Sequence, residues 1–278
     1  MADKSIKLSI ALVTYNCEEY IVEALDSIMM QKINCSYEIV VADDCSTDNT
    51  LELIKRYQST TDALIRILPS TENLGITKNY ERVFGACKGR YIAILEGDDY
   101  WISPNKISTQ IAFLDQNPNC SFCFHSLIML NEIEKTATLS KNIEKTKPSV
   151  EDLILDNFIG NFSTCMYRAK IVRKILKMPE LWVMAVYDWM FNIMNSRFGE
   201  IGFIPKALSV YRVHNTGAWS SKSSKDKRQE ILVAIDQYNQ FLNYEYDTTF
   251  QSVKLNYSLF SIPKEIGVTS NSSIDESP

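Results

Sequence analysis

The sequence predicts an α/β protein, in which a mostly parallel central sheet is flanked by helices and followed by a small C-terminal helical extension. Short apolar runs alternate with amphipathic segments over the first half of the chain, a pattern typical of parallel sheets that carry helices on both faces. The length of 278 residues allows one large domain with a sizeable core.

In the first half of the chain, each predicted strand is a short apolar run, and each predicted helix places its apolar residues on one stripe. The first strand, “LSIALVT” (Leu8–Thr14), precedes a helix with Tyr20, Leu25 and Ile28 on such a stripe. Pro104, a favoured first helical residue, marks the start of the last helix of this half. The further strands are Tyr37–Ala42, Leu64–Leu68, Tyr91–Leu95 and Cys120–Leu130, and the further helices begin near Leu51, Ile76 and Pro104.

The second half of the chain gives weaker signals. Its first segment, Asn131–Ser149, is polar and rich in lysine, which predicts a mobile surface loop. Residues 220–229 predict a linker, and residues 269–278 have few apolar side chains and predict a disordered tail. Between these segments we predict helices at Val150–Asp156, Arg168–Lys177, Val186–Phe198 and Glu230–Tyr244, a strand at Phe162–Tyr167, and a strand pair at Glu200–Ile204 and Ala207–Val213.

The composition argues against several classes of protein. A net charge of -5 disfavours nucleic-acid binding, which usually requires a basic excess. No apolar run is long enough to cross a membrane, but peripheral membrane attachment stays open. Homo-oligomerisation also stays open. The odd number of cysteines and the lack of a signal-peptide pattern predict a reducing, cytoplasmic location. Cys120 and Cys123 form a CxxC motif, but the alternating sequence around them favours a strand over a zinc site.

Polar residues cluster where four predicted strands end, in “TYNCEEY”, “DDCSTDNT”, “ENLGITKN” and “EGDDYW”. Parallel strands end at one edge of a sheet, where open α/β sheets bind their ligands. Asp48 alone suits a helix cap, but capping does not explain the acidic set Glu18, Asp43, Asp44, Glu96, Asp98 and Asp99. Clustered carboxylates need a compensating cation, and Mg²⁺ or Mn²⁺ held this way usually also binds substrate phosphates. The pattern therefore favours a nucleotide diphosphate. The absence of GxGxxG and GxxxxGK(S/T) disfavours dinucleotide-binding oxidoreductases and P-loop NTPases.

The motifs “SIALVTYN”, “VVADDCSTDNT”, “ENLGITKN” and “LEGDDYW”, in this order over residues 9–101, resemble those of the inverting family 2 glycosyltransferases of the GT-A fold, and “YDWMF” and “YRVHN” extend the resemblance to about residue 215. It implies a glycosyltransferase domain over residues 1–220, with a nucleotide-sugar-binding half (1–130) and an acceptor-binding half (131–220), before the extension at 221–278. It also implies sugar transfer from a nucleotide-diphosphate sugar, most often a UDP-sugar, to a hydroxyl of a saccharide or lipid-linked saccharide. By analogy, the setting is synthesis of bacterial surface polysaccharide, lipopolysaccharide or capsule, at the inner face of the membrane.

The resemblance further implies roles for individual residues. Asp44 would accept a hydrogen bond from the base, most often uracil, whose imide N–H suits a carboxylate. Lys78 would contact the donor, although a solvent-facing charge at a helix start is an alternative. The implied nucleotide-sugar-binding residues are Thr14, Tyr15, Asn16, Glu18, Asp44, Asn73, Lys78, Glu96, Asp98 and Asp99.

Glu96, Gly97 and Asp98 would form the DxD motif of the family, with glutamate in place of the first aspartate. Asp98 would bind the metal that bridges the diphosphate, and Asp99 would either join it or hold donor or acceptor. His214 matches a position where related enzymes supply an imidazole to the metal; the alternative is a lone surface histidine. The implied cofactor is Mn²⁺, because an imidazole ligand binds Mn²⁺ better than Mg²⁺. Mg²⁺ is the alternative.

Inversion needs one general base, which takes the proton of the attacking acceptor hydroxyl. Asp188 matches the catalytic aspartate of related enzymes, although an acidic residue at a helix start also suits the helix dipole. Trp101 and Trp189 are candidate walls of the acceptor site, though an aromatic residue at helical spacing is more often core. Two other functions stay open. One is a nucleotidyltransferase of related fold, which should have a glycine-rich loop after its first strand, where this chain has “TYNCEEY”. The other is a non-catalytic nucleotide- or sugar-binding module, which should show no sugar transfer.

Overall fold

The computed structural model of the chain describes residues 6–140, 145, 147–184 and 188–259. Its strands are β1 (Leu8–Thr14), β2 (Tyr37–Asp43), β3 (Ile65–Ile67), β4 (Tyr91–Glu96), β5 (Tyr100–Trp101), β6 (Cys120–Asn131), β7 (Thr136–Leu139), β8 (Met166–Arg168) and β9 (Glu200–Val213). Its α-helices are α1 (Ile21–Met29), α2 (Thr50–Ser59), α3 (Ile76–Ala86), α4 (Lys106–Gln116), α5 (Val150–Leu155), α6 (Ala169–Ile175), α7 (Asp188–Ser196), α8 (Ser224–Phe241) and α9 (Asp247–Leu259). Short 3₁₀ helices cover Phe162–Thr164 and Pro179–Val183.

The strands form one sheet in the order β3-β2-β1-β4-β8-β6-β9-β5, with β7 paired to β6. The first four strands of this order are parallel, whereas β8 runs antiparallel to both of its neighbours. β6 and β9 are parallel to each other, and β5 pairs antiparallel with β9. The predicted α/β fold, a central sheet flanked by helices, is confirmed. The sheet is mixed because β5, β7 and β8 are antiparallel to the strands that they pair with.

Alternate residues of β1 fill two cores, one on each face of the sheet. Ala11 and Val13 belong to a cluster that includes apolar residues of α3 and α7, while Ile10 and Leu12 belong to a cluster that includes those of α1 and α4. All four side chains are buried. Successive side chains of a strand point to opposite faces, so a strand between two helical layers must be apolar on both sides, which explains the continuous apolar run.

Three strand predictions are wrong in detail. The predicted pair at Glu200–Ile204 and Ala207–Val213 is one strand, β9, because its backbone follows β6 in parallel and absorbs register shifts instead of turning. The predicted loop at Asn131–Ser149 contains β7, which pairs with the end of β6. The predicted strand at Phe162–Tyr167 begins as a 3₁₀ helix, since the side chain of Asn161 caps that turn through the Ser163 N–H.

The helix boundaries also differ at several points. α4 begins at Lys106 instead of Pro104. α8 begins at Ser224, inside the predicted linker, because the Ser223 side chain caps it by accepting the Asp226 N–H. No sequence signal predicted α9, and apolar residues of both C-terminal helices pack into the core cluster that contains Trp189. The predicted disordered tail lies outside the described residues. Within the described residues, no helix combines the length and apolar character needed to cross a lipid bilayer.

Candidate functional site

β1 lies between β2 and β4, and the three strands end at the same edge of the sheet. Thr14 pairs with Asp43 of β2, and Val13 pairs with Glu96 of β4. The loops that follow these strands therefore meet, as expected where parallel strands end. We refer to this edge, formed by residues 14–18, 43–49 and 96–99, as the acidic rim.

The first two loops of the acidic rim are joined by hydrogen bonds. Asn16, which has a left-handed φ of 52°, accepts the Thr47 N–H at Oδ1 over 2.8 Å. Glu18 Oε2 accepts both the backbone N–H and the side-chain amide of Asn49, at 2.9 and 2.7 Å. These two predicted site residues therefore fix the relative position of the loops. Tyr15 lies next to Asn16 in the chain and is 46% exposed, so it remains accessible.

Asp44 connects the acidic rim to the “ENLG” turn. Its Oδ1 accepts the Leu74 N–H and its Oδ2 accepts the Gly75 N–H, both at 2.9 Å. Asn73 Oδ1 accepts the same Gly75 N–H at 3.0 Å, and Gly75 has a φ of 80°, a conformation that favours glycine. The carboxylate of Asp44 is thus oriented by two backbone groups. Each of its oxygens keeps a further lone pair for a ligand.

Gly97 packs against Thr14 so closely that no larger residue fits. A Cβ at Gly97 would lie 2.5 Å from Thr14 Oγ1. Thr14 Oγ1 is itself buried and has no hydrogen-bond partner among the described residues. Because buried hydroxyls are normally hydrogen-bonded, this oxygen is an unusual polar group at the point where β1 and β4 end.

Glu96 and Asp99 belong to a buried hydrogen-bond network with residues from α3 and from the 3₁₀ turn. The Tyr80 hydroxyl donates to Glu96 Oε1 at 2.6 Å. Asn161 Nδ2 donates to Glu96 Oε2 at 3.0 Å and to Asp99 Oδ2 at 2.9 Å. Ser163 Oγ donates to the same Asp99 oxygen at 2.6 Å. This network fixes both ends of the loop that contains Asp98.

The charges of this loop raise one another's proton affinity. Burial, followed by the charges of Asp99 and Asp98, raises the pKa of Glu96 well above its ordinary value. Burial and the charge of Asp98 raise the pKa of Asp99 to about 7. Both shifts follow from placing several carboxylates in a poorly solvated place. A divalent cation is the kind of ligand that would compensate such a set.

Asp98 and His214 come together from the loop after β4 and from the end of β9. Asp98 Oδ2 lies 3.1 Å from His214 Nε2, and His214 Nδ1 lies 2.9 Å from Thr216 Oγ1. His214 is 5% exposed, and the ring of Tyr20 packs on it with 4.6 Å between centroids. The histidine is therefore a built part of the acidic rim.

These two side chains fit a divalent cation that also binds a ligand. A carboxylate oxygen and an imidazole nitrogen are suitable donors, and Mg²⁺ and similar ions often take only one or two protein ligands and complete their shell with substrate phosphates and water. Within the described part of the chain, no group of three or more metal-binding side chains occurs. The donor set thus suits a shared site better than an all-protein one.

Arg212 ties the Asp98–His214 pair to the buried network. Its backbone N–H donates to Asp99 Oδ1 at 3.0 Å, and its Nη1 donates to the carbonyl of Asp98 at 2.8 Å. The guanidinium also pairs with Glu132, from Nε at 3.1 Å, and with Glu23. The “YRVHN” segment therefore supplies an arginine that positions the loop as well as the histidine that meets Asp98.

Asp188 begins α7 and is partly buried. Asn157 Nδ2 donates to its Oδ2 at 3.3 Å. Burial raises the pKa of Asp188 above its ordinary value, and the charge of Asp188 adds to the raised pKa of Glu96. The Asp188 charge is only a minor contribution at Glu96. A carboxylate with a raised pKa is a stronger base, which suits proton abstraction near neutral pH.

Three other predicted site residues occupy different surroundings. Trp101 is 1% exposed and Trp189 is 9% exposed, and their indole N–H groups donate to backbone carbonyls at 3.1 and 2.7 Å. The acceptor wall predicted for them has no exposed ring in this structure. Lys78 is exposed and forms an ion pair of 2.7 Å with Glu81, one turn further along α3.

Cys120 of the CxxC motif lies in β6, as the alternating pattern predicts, and is buried and free.

Sequence reasoning missed four residues of the site, which are Tyr80, Asn161, Ser163 and Arg212. All four are buried in the structure, but their sequence surroundings are mixed, as in “ITKNYERVFGA” around Tyr80 and “DNFIGNFST” around Asn161 and Ser163. The local pattern therefore gave no signal that these side chains are buried and hydrogen-bonded. The partners, which lie far away in the chain, were not available.

Comparisons with known proteins identify the family of the chain. A sequence model described as “Glycosyl transferase family 2” matches residues 9–176, more than half of the 278 residues. The Mycobacterium tuberculosis protein Rv1520 is 34% identical over 77% of this chain and 61% of its own length, so the chain spans about three fifths of that relative. The Bacillus subtilis protein TuaG, named provisionally as a teichuronic acid biosynthesis glycosyltransferase, is 25% identical over 80% of this chain and 84% of its own length.

Two solved structures have a similar fold. The crystal structure of S. aureus TarS 1-349 with UDP-GlcNAc has a TM-score of 0.62 at 20% identity and covers 91% of this chain and 72% of its own. The Pyrobaculum calidifontis mannosyltransferase PcManGT, in complex with GDP-Man and Mn²⁺, has a TM-score of 0.64 at 13% identity and covers 91% of this chain and 70% of its own. At these identities the likeness shows a common fold.

Proposed function

Because the chain belongs to glycosyl transferase family 2, we propose that it transfers a sugar, with inversion, from a nucleotide-diphosphate sugar to an acceptor hydroxyl. The observation that best supports this proposal is the Asp98–His214 pair at the acidic rim, 3.1 Å apart. The pair lies at the strand ends where α/β sheets bind ligands, and Glu96 and Asp99 of the same loop are held in place around it.

Asp98 and His214 would hold a divalent cation, Mn²⁺ or Mg²⁺, together with the diphosphate of the donor. When bound, such a cation offsets the negative charge that develops on the departing diphosphate. The protein's own contribution is the rigid loop geometry. Arg212 holds the Asp98 carbonyl and the Asp99 carboxylate, so that Asp98 is presented in one position.

The nucleotide would bind between the “TYN” and “DD” loops, which hydrogen bonds already hold together. Asp44 is the proposed reader of the base, and UDP is the proposed nucleotide, because an oriented carboxylate accepts the imide N–H of uracil. Thr14 Oγ1, buried and without a partner among the described residues, is a further proposed donor contact. Proteins of this fold bind either kind of nucleotide, UDP-GlcNAc in TarS and GDP-Man in PcManGT, so the choice of UDP rests on Asp44. Asn73, from the neighbouring turn, and Lys78, from the first turn of α3, would also contact the donor.

Asp188 is the proposed general base. It would accept the proton of the acceptor hydroxyl as that oxygen attacks the anomeric carbon from the face opposite the leaving diphosphate. The raised pKa of Asp188 supports this role, and the Asn157 amide at 3.3 Å restrains the carboxylate. Residues 131–220 would then form the acceptor half of the domain, since Asp188 lies within them.

The acceptor is proposed to be a saccharide or a lipid-linked saccharide of a surface polysaccharide. The name of TuaG, which refers to teichuronic acid biosynthesis, supports this setting. Transfer to a saccharide hydroxyl requires the same base and leaving-group chemistry irrespective of the carrier, so the site described above serves either acceptor.

The proposed function can be tested by ligand-observed NMR with a panel of UDP-, GDP- and TDP-sugars in the presence of Mg²⁺, followed by transfer and hydrolysis assays with Mn²⁺. We expect saturable binding of a UDP-sugar by the wild type and weakened binding by Asp98→Ala. The matched control is Asp62→Ala, which removes an exposed carboxylate just before β3, at the end of the sheet opposite the acidic rim. This variant should bind as the wild type does. If no sugar nucleotide in the panel binds or reacts, the enzyme proposal is wrong.

A further inference from the structure

A second pocket lies at the end of the sheet opposite the acidic rim. It has a volume of about 310 Å³, and five of its seven lining residues are basic. These five, which we call the basic pocket, are Lys88, Arg90, Arg168, Lys170 and Arg173. No carboxylate is among the lining residues, although the whole chain has a net charge of -5. The pocket is therefore positively charged, although the chain as a whole carries a net negative charge.

Two arginines of the basic pocket are fixed by backbone carbonyls. Arg168 is 7% exposed, and its guanidinium donates to the carbonyls of Cys120, Leu114 and Asn117 at 2.6, 2.7 and 3.0 Å and to the Tyr91 hydroxyl at 3.4 Å. Arg168 therefore contributes positive charge to the pocket more than free N–H donors. Arg173 Nη2 donates to the carbonyls of Lys88 and Gly89 at 3.3 and 3.2 Å. Because carbonyl oxygens are neutral acceptors, these bonds orient the guanidinium groups without cancelling their charge.

The other three cations of the basic pocket are only weakly compensated. Within the described residues, Lys88 and Lys170 are exposed and form no ion pair. Arg90 is 63% exposed and lies 3.7 Å from Asp115, a carboxylate that Lys7 contacts more closely at 2.9 Å. Exposed ion pairs of this kind contribute little. The pocket thus keeps a strong positive field.

The basic pocket is separate from the acidic rim. Arg90 directly precedes β4 and Glu96 ends it, and six residues of extended chain span about 20 Å. Arg168 pairs with Tyr91 at the start of the same strand. A diphosphate held by Asp98 and His214 therefore does not reach these cations, and an anion in the basic pocket would be a second ligand.

We propose that the basic pocket binds a phosphate-bearing anion, carried either by a soluble molecule or by the headgroup of an anionic lipid. The guanidinium groups of Arg90 and Arg173 can donate to phosphate oxygens in pairs, and Arg168 and the two lysines add positive charge. The pre-orientation of Arg173 by two carbonyls lowers the entropic cost of binding, and the concave shape suits a compact phosphate group. This proposal does not depend on the sugar or acceptor that the acidic rim uses.

The test compares two double variants of the full chain. Lys88→Ala with Lys170→Ala removes two charges of the basic pocket, and both residues are exposed, so folding should be retained. Lys55→Ala with Lys225→Ala is the matched control, since it removes the same charge from exposed positions on α2 and α8. Inorganic pyrophosphate binding is measured by calorimetry in EDTA, which suppresses metal-dependent binding at the acidic rim. Sedimentation with phosphatidylcholine vesicles, with and without phosphatidylglycerol, forms the second arm.

We expect the pocket variant to lose at least about tenfold in affinity, or about 1.4 kcal/mol, in one of the two arms, while the control stays close to the wild type. A loss in the pyrophosphate arm identifies a soluble phosphate compound as the ligand, and a loss in the vesicle arm identifies a lipid headgroup. Equal losses in both double variants would mean non-specific charge attraction and would overturn the proposal. Absence of binding by the wild type in both arms would also overturn it.

Discussion

Replacing Asn161 by alanine tests whether the buried network holds the acidic rim in place. The Asn161 amide donates to Glu96 at 3.0 Å and to Asp99 at 2.9 Å, and its oxygen accepts the Ser163 N–H at 2.7 Å. The variant loses all three bonds. The Glu96 carboxyl has a pKa raised well above its ordinary value, so its bond to Asn161 counts as neutral, whereas Asp99, with a pKa of about 7, is mostly ionised at pH 8. One charged bond of about 1.5–3 kcal/mol and two neutral bonds of about 1 kcal/mol each amount to about 3.5–5 kcal/mol. Entry of water into the vacated space lowers this loss, so we expect about 2–4 kcal/mol at pH 8.

Urea denaturation followed by circular dichroism, in EDTA, measures this loss of unfolding free energy. Asn117→Ala is the matched control, because the Asn117 amide makes one neutral bond, to the Phe113 carbonyl at 2.8 Å, and its loss should cost about 1 kcal/mol. A loss for Asn161→Ala no larger than that of the control would refute the reasoning. Calorimetry with UDP and Mn²⁺ gives the functional readout, where Asn161→Ala should bind at least about tenfold more weakly, since the loop that presents Asp98 loses its anchor.

Three further predictions concern single residues. Asp188→Asn should lower the transfer rate by about 10²–10⁴-fold with little change in UDP affinity; a large loss of UDP affinity in calorimetry would place the residue in the donor site instead. His214→Ala should weaken Mn²⁺-dependent UDP binding by at least about tenfold, and an unchanged Mn²⁺ titration would remove the histidine from the metal site. Lys106 is fully buried, and its Nζ, which lies 3.9 Å from the Trp101 ring centroid, has no hydrogen-bond partner among the described residues. Burial lowers the pKa of Lys106 to about 7. The unfolded chain then binds more protons above pH 7, so the unfolding free energy of the wild type should rise by about 2 kcal/mol between pH 7 and 9 relative to Lys106→Met; parallel pH profiles of the two proteins would contradict this.

The part of the site that the sequence predicts is the part that depends on local pattern. Apolar runs placed β1, β2 and β4, and the rule that parallel strands end at one edge then brought their loops together. Thr14 pairs with Asp43 and Val13 with Glu96, which is the arrangement needed for one acidic rim. Neither step required knowledge of contacts distant in the chain.

The part that could not be predicted depends on contacts between distant segments. Asn161 bonds to Glu96 and Asp99 across more than 60 residues, and Arg212 bonds to Asp98 and Asp99 across more than 110. The sequence around these two residues is of mixed polarity and does not show that they are buried. β9 gave a similar difficulty, because a strand that absorbs register shifts against its partner resembles, in sequence, two strands joined by a turn.

The glutamate at the first position of the motif has a structural explanation. Its side chain reaches two donors at once, the Tyr80 hydroxyl at 2.6 Å and the Asn161 amide at 3.0 Å. An aspartate would be shorter by one methylene, about 1.5 Å, and could not keep both bonds without a shift of the backbone. Because these contacts hold Glu96 against α3 and the 3₁₀ turn, the carboxylate left to meet His214 is that of Asp98, whose side chain is 27% exposed. The substitution is therefore matched by Tyr80 and Asn161, and it leaves the proposed metal ligand of the motif unchanged.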